Sequence, residues 1–296
     1  MHDIIVKHNL LYHVYADDTQ LYVTFKPSQQ SAKQCIECIE SCIYEIRRWM
    51  QDNFLKLNDD KTEFMLIGSR QQLSKVSIPH ITIGDSEICP VSQARNLGTM
   101  FDSSMSLSSH ISNIVRTASF HVRNIGKIRK YLTPDATEQI VHSVVTSRID
   151  MGNSLLYGLP DTQIDRLQRI QNSAARVITL SKKFSHITPV LKELHWLPVR
   201  CRIVYKLMLF VYKALNDSAP SYITDLLETY NPPRQLRSSN VHRLNEPRSK
   251  RSWGDRAFSR AAPRLWNKLP SHVKSCSSLT QFKKALKTHL MSSAYL

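Results

Sequence analysis

The stretch Leu10–Phe25, LLYHVYADDTQLYVTF, decides how the chain is read. Tyr12 and Val14 alternate with His13 and Tyr15 on the way in. Leu21, Val23 and Phe25 alternate with Tyr22 and Thr24 on the way out. That period of two is the signature of strands, here flanking a tip of Ala16, Asp17, Asp18 and Thr19. Adjacent carboxylates repel, and each resists ionisation unless a cation intervenes. A hard divalent ion such as Mg²⁺ resolves the repulsion through oxygen ligands. In a two-metal site such ions clamp the attacking and leaving oxygens of a phosphoryl transfer. The tip reads equally as a solvated Asp-Asp turn, because Asp favours turns.

Length and charge narrow what the tip can belong to. A chain of 296 residues with 42% apolar content can bury the core of one large or two ordinary domains. Only 7 Gly and 13 Pro exclude a collagen-like or low-complexity chain. Residues 1–104 carry 10 Lys+Arg against 13 Asp+Glu, net −3, and residues 105–296 carry 30 against 11, net +19, summing to +16. An acidic front and a basic back suit a polyanionic partner, since basic surface binds phosphates through counterion release. A generally basic protein without such a partner has the same sum. Six scattered cysteines point to reduced thiols and no disulfide-linked partner. No basic start followed by an apolar run opens the chain. The most apolar later stretch, Val199–Leu215, holds Arg200, Arg202, Lys206 and Lys213 and is short for a bilayer. Nucleus or cytoplasm, with no membrane partner, is the expectation.

Upstream of the hairpin, Ile4, Ile5 and Val6 read as a short strand or connector. Downstream, Ser28–Asn53 reads as a helix, with Ile36, Ile39, Ile43, Ile46 and Met50 as its apolar stripe. Cys35, Cys38 and Cys42 flank that stripe as small buried thiols, since their spacing is not that of a zinc knuckle. Leu55–Gly68 reads as strand, turn, strand, with Asn58, Asp59 and Asp60 in the turn. Ile78–Val91 reads as a hairpin turning at Gly84-Asp85-Ser86. Ala94–Gly98 then leads to Phe101, and Gly98 would let backbone approach a ligand closely. A Ser-rich stretch, 103–109, marks a boundary.

Everything beyond reads helical. Leu107–Ile128 is amphipathic, with Arg116, Arg123, Lys127, Arg129 and Lys130 on its polar side. Thr133 and Pro134 start a second helix that runs to about Asp150. Pro160-Asp161 starts a third, flanked by Arg166, Arg169 and Arg176. One at a time these cations are solvated helix faces; as a set they suit a grip on duplex backbone. A short helix ends in His195-Trp196-Leu197-Pro198, with His195 and Trp196 as packing residues. Helices follow over Val199–Asn216 and Pro220–Thr229. Residues 231–264 are rich in Pro, Ser and Arg, with Trp253, Phe258 and Trp266 interleaved or close by. They read as an extended arm docked on the preceding helices, as a single-stranded nucleic-acid binder using charge and stacking, or as a nuclear address. A basic helix, Leu279–Met291, closes the chain.

Tyr15-Ala16-Asp17-Asp18-Thr19-Gln20-Leu21 resembles the YxDD hairpin of reverse transcriptases, and in its extended form that of non-LTR (LINE-type) retrotransposon enzymes. Asn58–Thr62 resembles that family's N-x-x-K-T element, and Asn96-Leu97-Gly98 its Y/N-L-G strand. His195–Pro198, Gly254–Phe258 and Leu265–Pro270 resemble the H-W-L-P, G-x-R-x-F and L-W-N-x-L-P motifs of the jockey and chicken-repeat group. The resemblance implies RNA-directed DNA synthesis with Mg²⁺ (or Mn²⁺), on an RNA template with a DNA primer. It implies that Asp17, and more weakly Asp18, are catalytic metal ligands. It makes Lys61 a candidate to assist the incoming triphosphate, although Lys61 equally neutralises Asp59 and Asp60. Tyr15 and Gly98 would lie against template–primer, and Arg116, Arg123, Lys127, Arg166 and Arg169 would grip its backbone.

The expected fold is α+β: a partial polymerase palm of antiparallel hairpins and a helix over 1–104, then an all-helical basic part. That part divides into a thumb over 105–180, a helical C-terminal region over 181–230, and a basic arm with a terminal helix over 231–296. Only 14 residues precede Tyr15, and the family's upstream palm carboxylate, its fingers and its S-x-x-P-Q-G helix are absent. The expectation is therefore the C-terminal part of such an enzyme, inactive or weakly active alone, with the missing N-terminal polymerase segment as a further partner. A non-catalytic nucleic-acid-binding remnant is the alternative.

Overall fold

The hairpin forms as its alternation requires, with a tighter tip. Strand β1 (Leu11–Tyr15) pairs antiparallel with β2 (Asp18–Tyr22), Tyr15 opposite Asp18, so only Ala16 and Asp17 make the turn. The computed structural model describes residues 1–230, 243–249 and 252–295, and the chain divides into two units, Met1–His110 and Ile111–Leu296. Both helices and small antiparallel sheets are present, in the α+β class.

In the first unit, residues 2–7 form a helix, α1 (His2–Lys7), where a strand or connector is expected. A run of three apolar residues carries no period to separate the two, and tertiary contacts decide. Ile5 is fully buried with Leu10, Cys42 and Ile46. Lys7 Nζ donates to both Glu45 oxygens at 2.8 and 2.9 Å, and His8 Nε2 lies 3.1 Å from the same carboxylate. The bond from Lys7 leads in holding the Glu45 carboxyl below its ordinary range. Glu45 belongs to α2 (Gln29–Asp52), capped by Ser28, whose Oγ accepts from Ser31 N.

One polar face of α2 organises the rest of the unit through residues 11 and 7 apart. Gln29 exchanges two hydrogen bonds with the Ser77 backbone, Glu40 accepts from Thr82 N at 2.6 Å, and Arg47 pairs with Asp59. Arg47 also rests on Gly84, where a Cβ would lie 2.9 Å from the guanidinium carbon. Gly84, at φ +63°, turns the hairpin of β3 (Ile81–Ile83) and β4 (Ser86–Ile88) as expected. A third hairpin joins β5 (Gln93–Asn96) to β6 (Thr99–Asp102). Leu55–Gly68 is not strand, turn, strand: Asp59–Lys61 is a single 3₁₀ turn, and Phe64 makes only an isolated bridge to Pro90. A short helix, α3 (Arg70–Leu73), follows with a Ser69–Gln72 capping box.

The second unit is helical from the first turn of α4 (Ser108–Ile128) onward. Ile111, Ile114, Ala118, Val122 and Ile125 are buried along α4, as its periodicity requires. Thr133 caps α5 (Pro134–Val141), which continues through a π turn, His142–Thr146, into α6 (Ser147–Asp150). Then come α7 (Asp161–Thr179), α8 (Ile187–Glu193) and α9 (Val199–Leu215). Helix α9 is the centre, meeting α7 on one side and two later helices, α12 (Phe258–Lys268) and α14 (Leu279–Tyr295), on the other. Of Pro220–Thr229 only α10 (Ser221–Thr224) is helical. Within 231–264, residues 231–242 and 250–251 lie outside the described residues. The part that is described from Ser252 is not an extended arm: α11 (Ser252–Arg256) runs into α12, and α13 (Ser271–Lys274) precedes α14.

Among the described residues no helix is long and apolar enough to cross a membrane. The six cysteines are free thiols.

Candidate catalytic hairpin and nucleic-acid interface

A two-residue hairpin loop of the favoured types needs φ > 0 at its first central residue, a conformation that Gly, Asn and Asp adopt most readily. Here Ala16 holds it, at φ +54°. The loop projects Asp17 and Asp18 into solvent, and among the described residues neither carboxylate pairs with a cation. Tyr12, Leu21 and Val23 pack the base of the hairpin on the Ile5–Leu10–Cys42–Ile46 core. Val14, on the same face as Tyr12 but nearer the tip, is 47% exposed, and Tyr15 is 66% exposed. The tip thus overhangs the core it is rooted in.

The hairpin has one neighbour that the sequence did not reveal. Gln20 Nε2 donates to Asn96 Oδ1 at 2.8 Å across 76 residues. This brings the Ala94–Gly98 element beside the carboxylate-bearing strands. Gly98, at φ +84°, is the second residue of the two-residue turn that begins at Leu97, φ +44°. The turn itself therefore requires its glycine. Lys61 is exposed on the 3₁₀ turn, and that turn is fastened to α2 through Asp59 and Arg47 rather than to the tip. Arg47 thus takes Asp59, one of the two carboxylates assigned to Lys61 for neutralisation.

Helix α4 contains no carboxylate. Arg116, Phe120, Arg123 and Lys127 are exposed at steps of 4, 3 and 4, a single stripe along the helix. Phe120 is 54% exposed, and Lys130 Nζ stands 4.8 Å from the ring of Tyr131, itself 76% exposed. The aromatics in this stripe were legible from the same spacing as the cations. Arg166, half-buried on α7, donates to Ser112 Oγ at 3.0 Å, one turn of α4 from Arg116, while Arg169 is exposed. Arg129 does not belong with the set. It is 7% exposed, and its guanidinium donates to the carbonyls of Val177, Ile178 and Leu132 at 3.0, 2.8 and 2.7 Å. It caps the C-terminus of α7, where carbonyls lack partners and the helix dipole is negative.

The three C-terminal motifs are architectural. Trp196 is 4% exposed, its carbonyl accepts from Tyr295 Oη at 2.7 Å, and Leu197 O accepts from Gln171. Asn267 grips both backbone groups of Leu244, accepting at 3.0 Å and donating at 2.9 Å, beside Trp266, which is 1% exposed. Gly158 lies so close to Arg256 that a Cβ would sit 2.7 Å from its Cγ. Phe258 meets Phe210 of α9 edge-on and Trp266 is buried, so these two aromatics dock on the helices, as one reading of 231–264 expects, rather than standing free for bases, and of the three Trp253 stays 38% exposed.

Among the described residues no group of three or more His, Cys, Asp or Glu side chains could hold a metal ion. The tip alone offers two carboxylates, the number with which Mg²⁺ is usually held when substrate phosphates and water complete its shell. No family model matches the chain, and no curated protein or solved structure matches it significantly.

Proposed function

We propose that this chain is part of a non-LTR-type reverse transcriptase, contributing the carboxylate hairpin of a partial palm and a thumb-like helical region that holds template–primer. What supports the reading is the carboxylate pair raised on a tight hairpin, with the Asn96 hairpin held beside it through Gln20. Asp17 and Asp18 would hold Mg²⁺ or Mn²⁺, which when bound neutralises phosphate charge and activates the attacking oxygen. The stripe Arg116–Arg123–Lys127, with Arg166 and Arg169 nearby, would hold backbone phosphates and fix the duplex without reading its sequence. Lys61, exposed on its turn, would assist the incoming triphosphate. A two-metal centre needs a further carboxylate, which no described residue brings to the tip, so the chain alone binds template–primer but does not extend it.

Fluorescence anisotropy with an RNA template annealed to a DNA primer tests this. Binding should weaken with salt, by about 0.9 logarithmic units per phosphate contact for each decade of salt. R116Q/R123Q/K127Q should lose about tenfold or more in affinity. D17N should bind as wild type, yet lose the Mn²⁺-induced broadening of hairpin resonances. Asp17-dependent primer extension by this chain alone would overturn the claim of an incomplete centre; salt-insensitive or absent binding would overturn the interface. A non-catalytic binding remnant is favoured by the lack of a third acidic ligand among the described residues, and it predicts no Mn²⁺ broadening in either protein.

A further inference from the structure

We infer that helices α12 and α14 form a second, separate surface for the phosphate backbone of a polynucleotide. All 24 carboxylates of the chain lie before residue 256, and the 41 residues from Arg256 onward carry eight Lys or Arg and no Asp or Glu. Five of these cations are exposed: Arg264 and Lys268 on α12, and Lys283, Lys284 and Lys287 on α14. None pairs with a carboxylate among the described residues. Of the other three, Arg260 donates to Pro247 O, the buried Lys274 donates to Asn267 O, and the half-buried Arg256 packs against Gly158.

An ordinary solvated helix face mixes signs, and its i,i+4 neighbours attract. Here Arg264 and Lys268, and again Lys283 and Lys287, are like charges four residues apart, an arrangement that destabilises a helix by a few tenths of a kcal/mol per pair. An external polyanion relieves that repulsion. The surface is also held in place. Arg264 and Lys268 lie opposite Trp266 on α12, and Trp266 packs against Phe282 of α14 at 5.9 Å between ring centroids. Phe282 in turn stacks on Tyr212 of α9 at 4.2 Å.

The chemistry favours nucleic acid over a lipid surface. The apolar face of α14, Phe282, Leu286 and Leu290, is buried in the protein, so nothing is left to insert between acyl chains. No large hydrophobic side chain is exposed among the described residues after Arg256, so stacking on unpaired bases is not on offer. The partner is therefore a backbone, double-stranded as readily as single. This surface stands whether or not the Asp17 hairpin takes part in nucleotidyl transfer.

The test compares the full chain with K283Q/K284Q/K287Q, and with K283R/K284R/K287R as a control that keeps the charge. The probes are a 20-base-pair DNA duplex, the RNA duplex of the same sequence, the single DNA strand, and vesicles of phosphatidylserine and phosphatidylcholine. The Gln variant, with unchanged helix content by circular dichroism, should bind both duplexes about tenfold more weakly. Its salt slope should be lower by about 2 to 3, from roughly 0.9 per phosphate. The Arg variant should bind as wild type. Unchanged duplex affinity and slope in the Gln variant overturn the inference. So does loss of vesicle binding alone, or a tenfold preference for the single strand. Running R116Q/R123Q/K127Q in parallel separates the two proposals. A loss there with no loss in the Lys283–Lys287 variant defeats this surface alone, and the reverse defeats the template–primer interface alone.

Discussion

Arg129 shows how a residue's chemistry can be read correctly and its role missed. In sequence it continues the basic side of α4, but in the fold it is turned inward and bonded to three carbonyls. Charge-assisted hydrogen bonds of this kind contribute more than neutral ones. Arg129→Ala should lower the stability of the second unit by about 2 to 4 kcal/mol in urea unfolding, while Arg123→Ala should change it by less than about 0.5 kcal/mol. The one-dimensional pattern could not separate the two, because only the position of the α7 terminus distinguishes them. Asp102, at the end of β6, makes a second buried knot. It accepts from the N–H groups of Ser104, Ser106 and Leu107 at 3.1, 2.9 and 2.7 Å, and from the Ser104 and Ser106 hydroxyls. Burial pushes its carboxyl up, but these donors outweigh burial and hold it below its ordinary value. A depressed carboxyl stabilises the fold fully above the unfolded-state pKa of about 3.9, and that contribution fades as pH falls through the lower folded value. Asp102→Asn should therefore shrink the fall in melting temperature between pH 6 and pH 3.

Elements with a clear period or a capping residue are legible in the sequence. The extent of α2, within a residue at each end and with Ile46 of its stripe buried, the Thr133-Pro134 start of α5, and the Gly84 turn all fell where local chemistry required. Leu55–Gly68 failed because Phe64, Leu66 and Ile67 supply apolar residues without a partner strand, and a strand without a partner is only a bridge. The candidate site was legible as to its carboxylates but not as to its neighbour, since nothing in the spacing of Gln20 and Asn96 announces a bond between them. The β1–β2 hairpin is itself a two-stranded sheet with Leu11, Val14, Tyr15 and Tyr22 exposed. Such a ribbon opens locally at low cost. Amide hydrogen exchange in β1 and β2 near the tip should be at least about a hundredfold faster than in the buried turns of α7 and α9, and protection as strong as theirs would contradict this account.

For the molecule as a whole, the sign change of charge near residue 104 is a property of sequence, whereas the joining of its basic helices around α9 is a property of packing. Helix α9 meets α7 before it and α12 and α14 after it, within the one unit Ile111–Leu296. Residues 108–296 expressed alone should consequently unfold in one cooperative thermal transition, and a broad, non-cooperative melt would refute a self-sufficient core. The packing of α9 also has a consequence during synthesis. Tyr212 stacks on Phe282 and donates to Cys276 O at 2.9 Å, so one side of α9 is covered only by chain made much later. At about 5 to 20 residues per second, the stretch between Leu215 and Leu279 leaves that side bare for about 3 to 13 s on every nascent chain. A holdase that recognises apolar helices has that interval in which to bind, and its footprint would include Tyr212, which is only 4% exposed in the folded chain.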